Sequence, residues 1–213
     1  MRNGVIKLLR GGIDFEPRVI FDVGANVGQS ATEFAVAWPN AVVHTFEPIP
    51  KTFAALSEAV SDLPNVAPHQ IAFGERPRRI QMLAVGTSFV NRILAGPSAK
   101  PEPTVDLDME TLDAFCDRQS IRFVDFLKID TEGYDLKVLV GSVNMLRHLA
   151  VRFIQVECGL APDNRRHVAL QRFCGFLEPF GYTLFGLFDI ERRVGKQPRL
   201  GAGFGNAVFV HEP

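Results

Sequence analysis

Cysteine is scarce and scattered: Cys116, Cys158 and Cys174 are the only three in 213 residues, and no two form a CxxC pair. Such a set is neither a disulfide framework nor a zinc site, and it reads as buried thiols in a reducing compartment. Polar aromatics are equally sparse, with one Trp and two Tyr against 18 Phe. That inventory fills a core and is poorly suited to polar aromatic recognition. Neither sign of charge dominates: 23 Lys and Arg meet 24 Asp and Glu, a formal net charge of −1. Whole-chain charge therefore gives no support to nucleic-acid binding. No apolar run reaches membrane length, and the opening MRNGVIKLLRGG is broken at Lys7 and stopped at Arg10, too early for a signal-peptide core. A cytoplasmic protein without a membrane span is expected. There is no internal repeat.

What the chain does have is apolar material for a core, 46% of its residues, enough for one ordinary domain over 1–213. Short β-branched runs alternate with helical patterns, which predicts a parallel sheet covered by helices on both faces. Parallel strands are expected over 18–22, 41–46, 66–72, 123–130, 151–157 and 182–188. A seventh over 207–210 follows only a short Gly-rich stretch, which favours an antiparallel return. Residues 1–17 form a short N-terminal segment. Residues 80–120 interrupt the rhythm with a hairpin over 80–85 and 88–94, a loop over 96–103, and a half-exposed strand carrying Val105, Leu107 and Met109. Thr111 should cap the next helix.

In open α/β sheets, ligands bind outside the carboxyl ends of the strands. The residues to examine are therefore Asp22, Glu47, Ala72, Asp130 and Glu157, with the loops after them. DVGANVG at 22–28 ends a strand and opens a helix. Gly24 and Gly28 permit a tight turn and a close backbone approach. There is no glycine at position 26, so the dinucleotide fingerprint fails. An acid two residues before the first glycine suits a ligand with a cationic amino-acid end and no pyrophosphate, namely S-adenosylmethionine. Glu47, at the end of the second strand, can accept both hydroxyls of a ribose. In FLKIDTEGY at 126–134, alternation puts Lys128 and Asp130 on one side of a strand. A lysine there is costly unless paired, and Asp130, Glu132, Glu157 and Asp22 are its available partners. Either a structural ion pair or a polar cluster beside the transferred group accounts for it.

DVGANVG at 22–28, FEP at 46–48, TLD at 111–113, LKIDTEG at 127–133 and QVE at 155–157, in that order, resemble the FkbM-type methyltransferase family. The likeness covers about residues 18–160. It implies a Rossmann-like methyltransferase fold, which with the pattern above gives a seven-stranded sheet with an antiparallel C-terminal strand and an extra hairpin between the third and fourth parallel strands. It also implies S-adenosylmethionine as donor and transfer to an oxygen of a sugar, glycolipid or natural-product acceptor. Donor-site roles then fall on Asp22, Gly24, Asn26, Gly28 and Glu47, and on the Asp130-Thr131-Glu132 segment. Their neighbours Ala25, Gln29, Pro48, Ile71 and Ala72 complete the set.

An alcohol is a weak nucleophile and needs a base or a metal to take its proton. Asp130, Glu132 and His167 are the candidate bases, with Lys128 in the same polar cluster. His44, His69, His148 and His211 read as structural. Asp130, Glu132 and Glu157 could hold Mg²⁺, but strand-end carboxylates are common without a metal, so the metal is possible and not favoured. Two loops on the ligand side are basic. One holds Arg165 and Arg166. The other holds Arg192, Arg193, Lys196 and Arg199 among glycines, and is either a solvated loop or a lid over an anionic acceptor. The partners implied are a small-molecule, sugar or lipid-linked acceptor and no nucleic acid; a homodimer is compatible with this. Two other readings compete: a nicotinamide-dependent oxidoreductase, disfavoured by the missing glycine and the lack of a Tyr-x-x-x-Lys pair, and a donor-binding protein without catalysis.

Overall fold

A computed structural model describes residues 4–13, 15–84, 103–194 and 198–211. In chain order the elements are α1 (Gly4–Gly11), β1 (Val19–Val23), α2 (Gln29–Ala37), β2 (Val42–Phe46), α3 (Pro50–Ala59), β3 (Val66–His69), β4 (Ala72–Phe73), β5 (Arg78–Leu83) and β6 (Thr104–Glu110). They continue with α4 (Leu112–Gln119), β7 (Val124–Ile129), α5 (Asp135–Val140), α6 (Val143–Arg147), β8 (Val151–Gly159), α7 (Leu170–Leu177), β9 (Thr183–Val194) and β10 (Pro198–Val210). Among the described residues, no helix is long and apolar enough to cross a membrane.

The main sheet has the order β3-β2-β1-β7-β8-β10-β9. All pairings are parallel except those of β10, which runs against both β8 and β9. The expected mostly parallel sheet with one antiparallel C-terminal strand is therefore present. Strand alternation sorts side chains onto two faces. Ile20, Val43, Phe126 and Phe153 meet Val5, Ile6, Leu9 and Phe34 of α1 and α2 on one face. Phe21, Leu127, Ile129 and Ile154 meet Leu112, Phe115, Leu139 and Phe173 on the other. Burying each such side chain contributes roughly 1.5–3 kcal/mol.

Local chemistry sets the helix ends. α2 starts after Gly28 in a left-handed conformation, φ 92°, and stops at Trp38, before a proline that disfavours helix in the preceding residue. Pro50 opens α3. The Thr111 hydroxyl accepts the Ala114 N–H at 3.2 Å, capping α4.

Two expectations need correction, and one, the insertion, is met and extended. The strand over 66–72 is two pieces. β3 ends at His69, whose partner Phe46 is the last residue of β2, so its ladder has nothing further to pair with. β4 turns away to pair with Met109 and Glu110 of β6. The insertion is a second sheet, β4-β6-β5, in which Ile80 faces Leu107 of β6; the strand expected over 88–94 and the loop over 96–102 lie outside the described residues. Finally, the described residues from Asp189 to Val194 and from Pro198 to Val210 are strand and not loop. β9 and β10 are long strands of one hairpin that runs past Gly159, the end of β8, which pairs with Phe204. It extends on the carboxyl-end side, as expected for the basic segment. Gly195 and Lys196 lie outside the described residues, and so do the side chains of Arg192, Arg193 and Arg199.

Candidate functional site

A cavity of about 360 Å³ opens at the carboxyl ends of β1, β2 and β7, with β4 and β5 supplying part of its wall. Its volume falls in the range of small-ligand sites. The turn after β1 contributes Gly24, Ala25 and Asn26, and the first turn of α2 contributes Gln29 and Ser30. Glu47, Pro48 and Ile49 come from the end of β2, Ile71 and Ala72 from β4 and the residue before it, and Lys128, Asp130 and Glu132 from the end of β7.

The turn is tight because its neighbours leave no room. Gly24 has φ 82°, and a Cβ there would run into the backbone carbonyl of Asp130. Asn26, at φ 50°, presents its N–H to Glu47 Oε2 at 3.2 Å. The Ile49 N–H reaches Glu47 Oε1 at 3.0 Å. Each carboxylate oxygen therefore accepts one backbone amide and keeps acceptor capacity for a ligand hydroxyl. Burial pushes the Glu47 carboxyl up to about 7, against the two amides. Two adjacent acceptor oxygens beside a glycine turn fit the vicinal hydroxyls of a nucleoside, and Ile71, Ala72 and Phe73 supply an apolar wall beside them.

Beyond β7 the chain makes a second strained turn. Glu132 (φ 55°) and Gly133 (φ 95°) are both left-handed. A Cβ at Gly133 would sit 2.7 Å from the carbonyl oxygen of Arg166. Asp135 braces the turn, accepting the Gly133 N–H at 3.1 Å and the Thr131 N–H at 3.4 Å. Its burial, with the nearby charge of Asp130, raises its carboxyl to about 7. Arg166 donates to Glu132 Oε2 through Nε at 3.0 Å and Nη2 at 2.7 Å. Burial raises the Glu132 carboxyl and Arg166 opposes the shift. The Tyr134 hydroxyl donates to Glu75 at 2.7 Å and accepts from Arg78 at 2.7 Å, holding another wall of the cavity.

Not every residue singled out from the sequence reaches this cavity. Asp22 is fully buried behind it and touches Lys128 instead, Nζ to Oδ1 at 3.1 Å. Lys128 also reaches Asp130 Oδ2 at 3.4 Å. Gly28 is a packing glycine: a Cβ there would lie 2.9 Å from Leu56 Cδ1, and it is not among the lining residues. His167 is no candidate base at the cavity. Its Nε2 pairs with Glu157 at 2.9 Å, its Nδ1 contacts Asn164, and its ring stacks on Phe204. Glu157 is thereby drawn into a loop-to-strand contact. His44 and His69 contact each other at 3.0 Å inside a cluster of phenylalanines, in keeping with the structural role expected of them. Among the described residues, no group of three or more His, Cys, Asp or Glu side chains is arranged to hold a metal ion.

The lining residues Ser30, Thr52, Phe73 and Met82 were not anticipated. Phe73 and Met82 read as ordinary core positions in the sequence, and only their place at the mouth of the sheet distinguishes them. Tyr134 closes a motif that was noted, but its link to Glu75 depends on a contact 59 residues away.

The family described as methyltransferase FkbM domain matches residues 22–184. The chain is 27% identical over 163 residues to the hexuronic acid methyltransferase AglP of Haloferax volcanii, covering 75% of this chain and 64% of that protein. It is 25% identical over 153 residues to the 2-O-methyltransferase NoeI of Sinorhizobium fredii, covering 65% of this chain and 62% of that protein. The chain thus spans less than two thirds of the length of these relatives. Its fold is similar to that of M. capricolum TrmK, solved with S-adenosyl-homocysteine, with a TM-score of 0.56 at 8% identity over 98% of this chain and 67% of that one.

Proposed function

The chain belongs to the methyltransferase FkbM family, and we propose that it transfers a methyl group from S-adenosylmethionine to a hydroxyl of a sugar. Glu47 carries the donor assignment: a carboxylate at the end of β2, fixed by the amides of Asn26 and Ile49, beside a turn that Gly24 makes possible. Its oxygens would accept the ribose hydroxyls, and Ile71, Ala72 and Phe73 would flank the base. S-adenosylmethionine would supply a methyl carbon made electrophilic by its sulfonium, and would leave as S-adenosylhomocysteine, the new carbon–oxygen bond replacing the carbon–sulfur bond.

A carboxylate of this chain would take the proton of the acceptor hydroxyl. Glu132 is the better placed of the two carboxylates past β7. Burial raises its pKa, which strengthens it as a base, and Arg166 fixes its orientation. Asp130 faces the Lys128 ammonium instead. The names of the two relatives, a hexuronic acid methyltransferase and a 2-O-methyltransferase, support a sugar hydroxyl as acceptor.

Titration calorimetry with S-adenosylhomocysteine, with NAD as the control, tests the donor. Transfer of a labelled methyl to glycosides of glucuronic acid and of neutral hexoses tests the acceptor. Absence of S-adenosylhomocysteine binding would overturn the first. Binding with no transfer to any sugar hydroxyl would overturn the second and leave a donor-binding protein.

A further inference from the structure

The strand register places Thr45, Asp22, Lys128 and Gln155 opposite one another on four adjacent strands, β2, β1, β7 and β8. Opposed residues share a face of a sheet, so these four make one polar row inside the fold, and all four are buried. A charge placed there is costly unless it is paired. Asp22 pairs with Lys128 and has no exposure of its own. Lys128 has a second role, because it also forms part of the cavity wall.

We propose that Lys128 recognises the α-carboxylate of the methyl donor's amino-acid end, with Asp22 holding its ammonium from behind. The inference rests on the donor reading above. An ammonium has three N–H donors. Asp22 and Asp130 account for two, which leaves one for a ligand. Beside it, Gln29 and Ser30 of α2 line the same wall. The N-cap of α2 is Gly28, which offers no side-chain cap; the Ala31 amide of the first turn faces Asp22, and the rest of the helix's positive end favours an anion near the ammonium. Asp130, also on the wall, supplies the opposite charge for the donor's α-ammonium. The two groups together complement a zwitterion, whereas Glu47 meets the neutral hydroxyls. β2 and β7 flank β1, so their ends are roughly 10 Å apart, two strand spacings, and one elongated ligand can engage both. The charges of Asp22 and Asp130 offset the burial that disfavours the ammonium and hold it above the ordinary lysine range. Lys128 is thus a binding group and not a proton acceptor, and Asp22 is a positioning residue that acts through it.

The test uses calorimetry with two probes, S-adenosylhomocysteine and 5′-methylthioadenosine, which shares the nucleoside thioether and lacks the amino-acid end. In Lys128→Met, affinity for S-adenosylhomocysteine should fall by about tenfold to a hundredfold, while affinity for 5′-methylthioadenosine changes less than about threefold. A double variant, Asp22→Asn with Lys128→Met, keeps the buried row free of an unpaired charge and should behave alike if the single variant misfolds. On the wild type alone, the carboxamide of S-adenosylhomocysteine should bind about tenfold or more weaker than the acid. Equal loss of both probes in the variants, or equal binding of acid and carboxamide by the wild type, overturns the proposal. A wild type that binds neither probe overturns the donor reading itself.

Discussion

Gly24 faces the backbone carbonyl of Asp130 so closely that no side chain fits between the β1 turn and the end of β7. The glycine is therefore required by the chain itself before any ligand is considered. Gly24→Ala combines a left-handed backbone, φ 82°, with this overlap. It should lower folding stability by on the order of 2–5 kcal/mol in urea unfolding. Gly28→Ala should cost less, since the atom it meets first, Leu56 Cδ1 at 2.9 Å, ends a side chain that can move. Full stability of Gly24→Ala together with lost donor binding would mean that the glycine serves the ligand alone.

Glu47 should make both stability and donor binding depend on pH, in opposite directions. Its carboxyl titrates near 4.5 when unfolded and is pushed up to about 7 by burial. Between those values the folded state binds more protons, so stability falls as pH rises from about 4.5 to about 7. Glu47→Gln should flatten that slope, an effect of up to about 3 kcal/mol. Ribose hydroxyls need an ionised acceptor, so S-adenosylhomocysteine should bind more tightly as pH rises through about 7, and Glu47→Ala should cost about 1–3 kcal/mol of binding. A pH-independent affinity in calorimetry would remove Glu47 from the donor site.

The positions of the main strands along the chain were legible because β-branched and aromatic runs such as Val42–Phe46 and Val124–Ile129 carry their own signal. The acids at the strand ends were legible through the rule that ligands sit there. What those acids touch was not. Asp22 reads as a donor contact, yet its partner Lys128 is 106 residues away, and only the register of β1 against β7 makes it the inner member of a pair. Gly24 and Gly28 have the same local signature, but one is required by a backbone carbonyl and the other by a leucine. His167 lies in a polar loop, and nothing near it in sequence announces Phe204 or Glu157 as its neighbours. Long-range packing decided each of these, and local pattern does not encode it.

The half-buried histidine pair should make the fold acid-sensitive. His44 is pushed down to about 4, first by burial and then by His69, and His69 is lowered by burial and by Arg118. The His44 ring lies against Phe21 and Phe115 and the His69 ring against Phe46 and Phe115, with Glu110 the carboxylate near His69. The unfolded chain binds protons at these sites between about 6.5 and about 4 while the folded chain resists them. Stability is therefore lost as pH falls through that window. The loss from His44 should be on the order of 1–2 kcal/mol, allowing for its partial exposure. Urea unfolding across the window should show a smaller loss in His44→Gln. An identical slope in the variant would place the acid sensitivity elsewhere.

Glu132 and Asp130 separate by experiment, because the proposed reading gives them different duties. Glu132 sits on the cavity wall in a left-handed turn, clamped by Arg166. As proton acceptor it acts only in the reacting state, so Glu132→Gln should lower kcat by about 10²–10⁴-fold and leave S-adenosylhomocysteine affinity within about threefold. Asp130 faces Lys128 at the amino-acid end, so Asp130→Asn should weaken donor binding at least as much as it slows turnover. Arg166→Ala removes the clamp without removing the base. It should slow transfer less than Glu132→Gln and shift the alkaline-rising limb of the rate profile upward, since Arg166 holds the Glu132 carboxyl down against burial. Transfer to glucuronic acid glycosides, followed against pH for the three variants, measures all of this. Near-normal turnover in Glu132→Gln with a collapse in Asp130→Asn would exchange the two roles and make Asp130 the base.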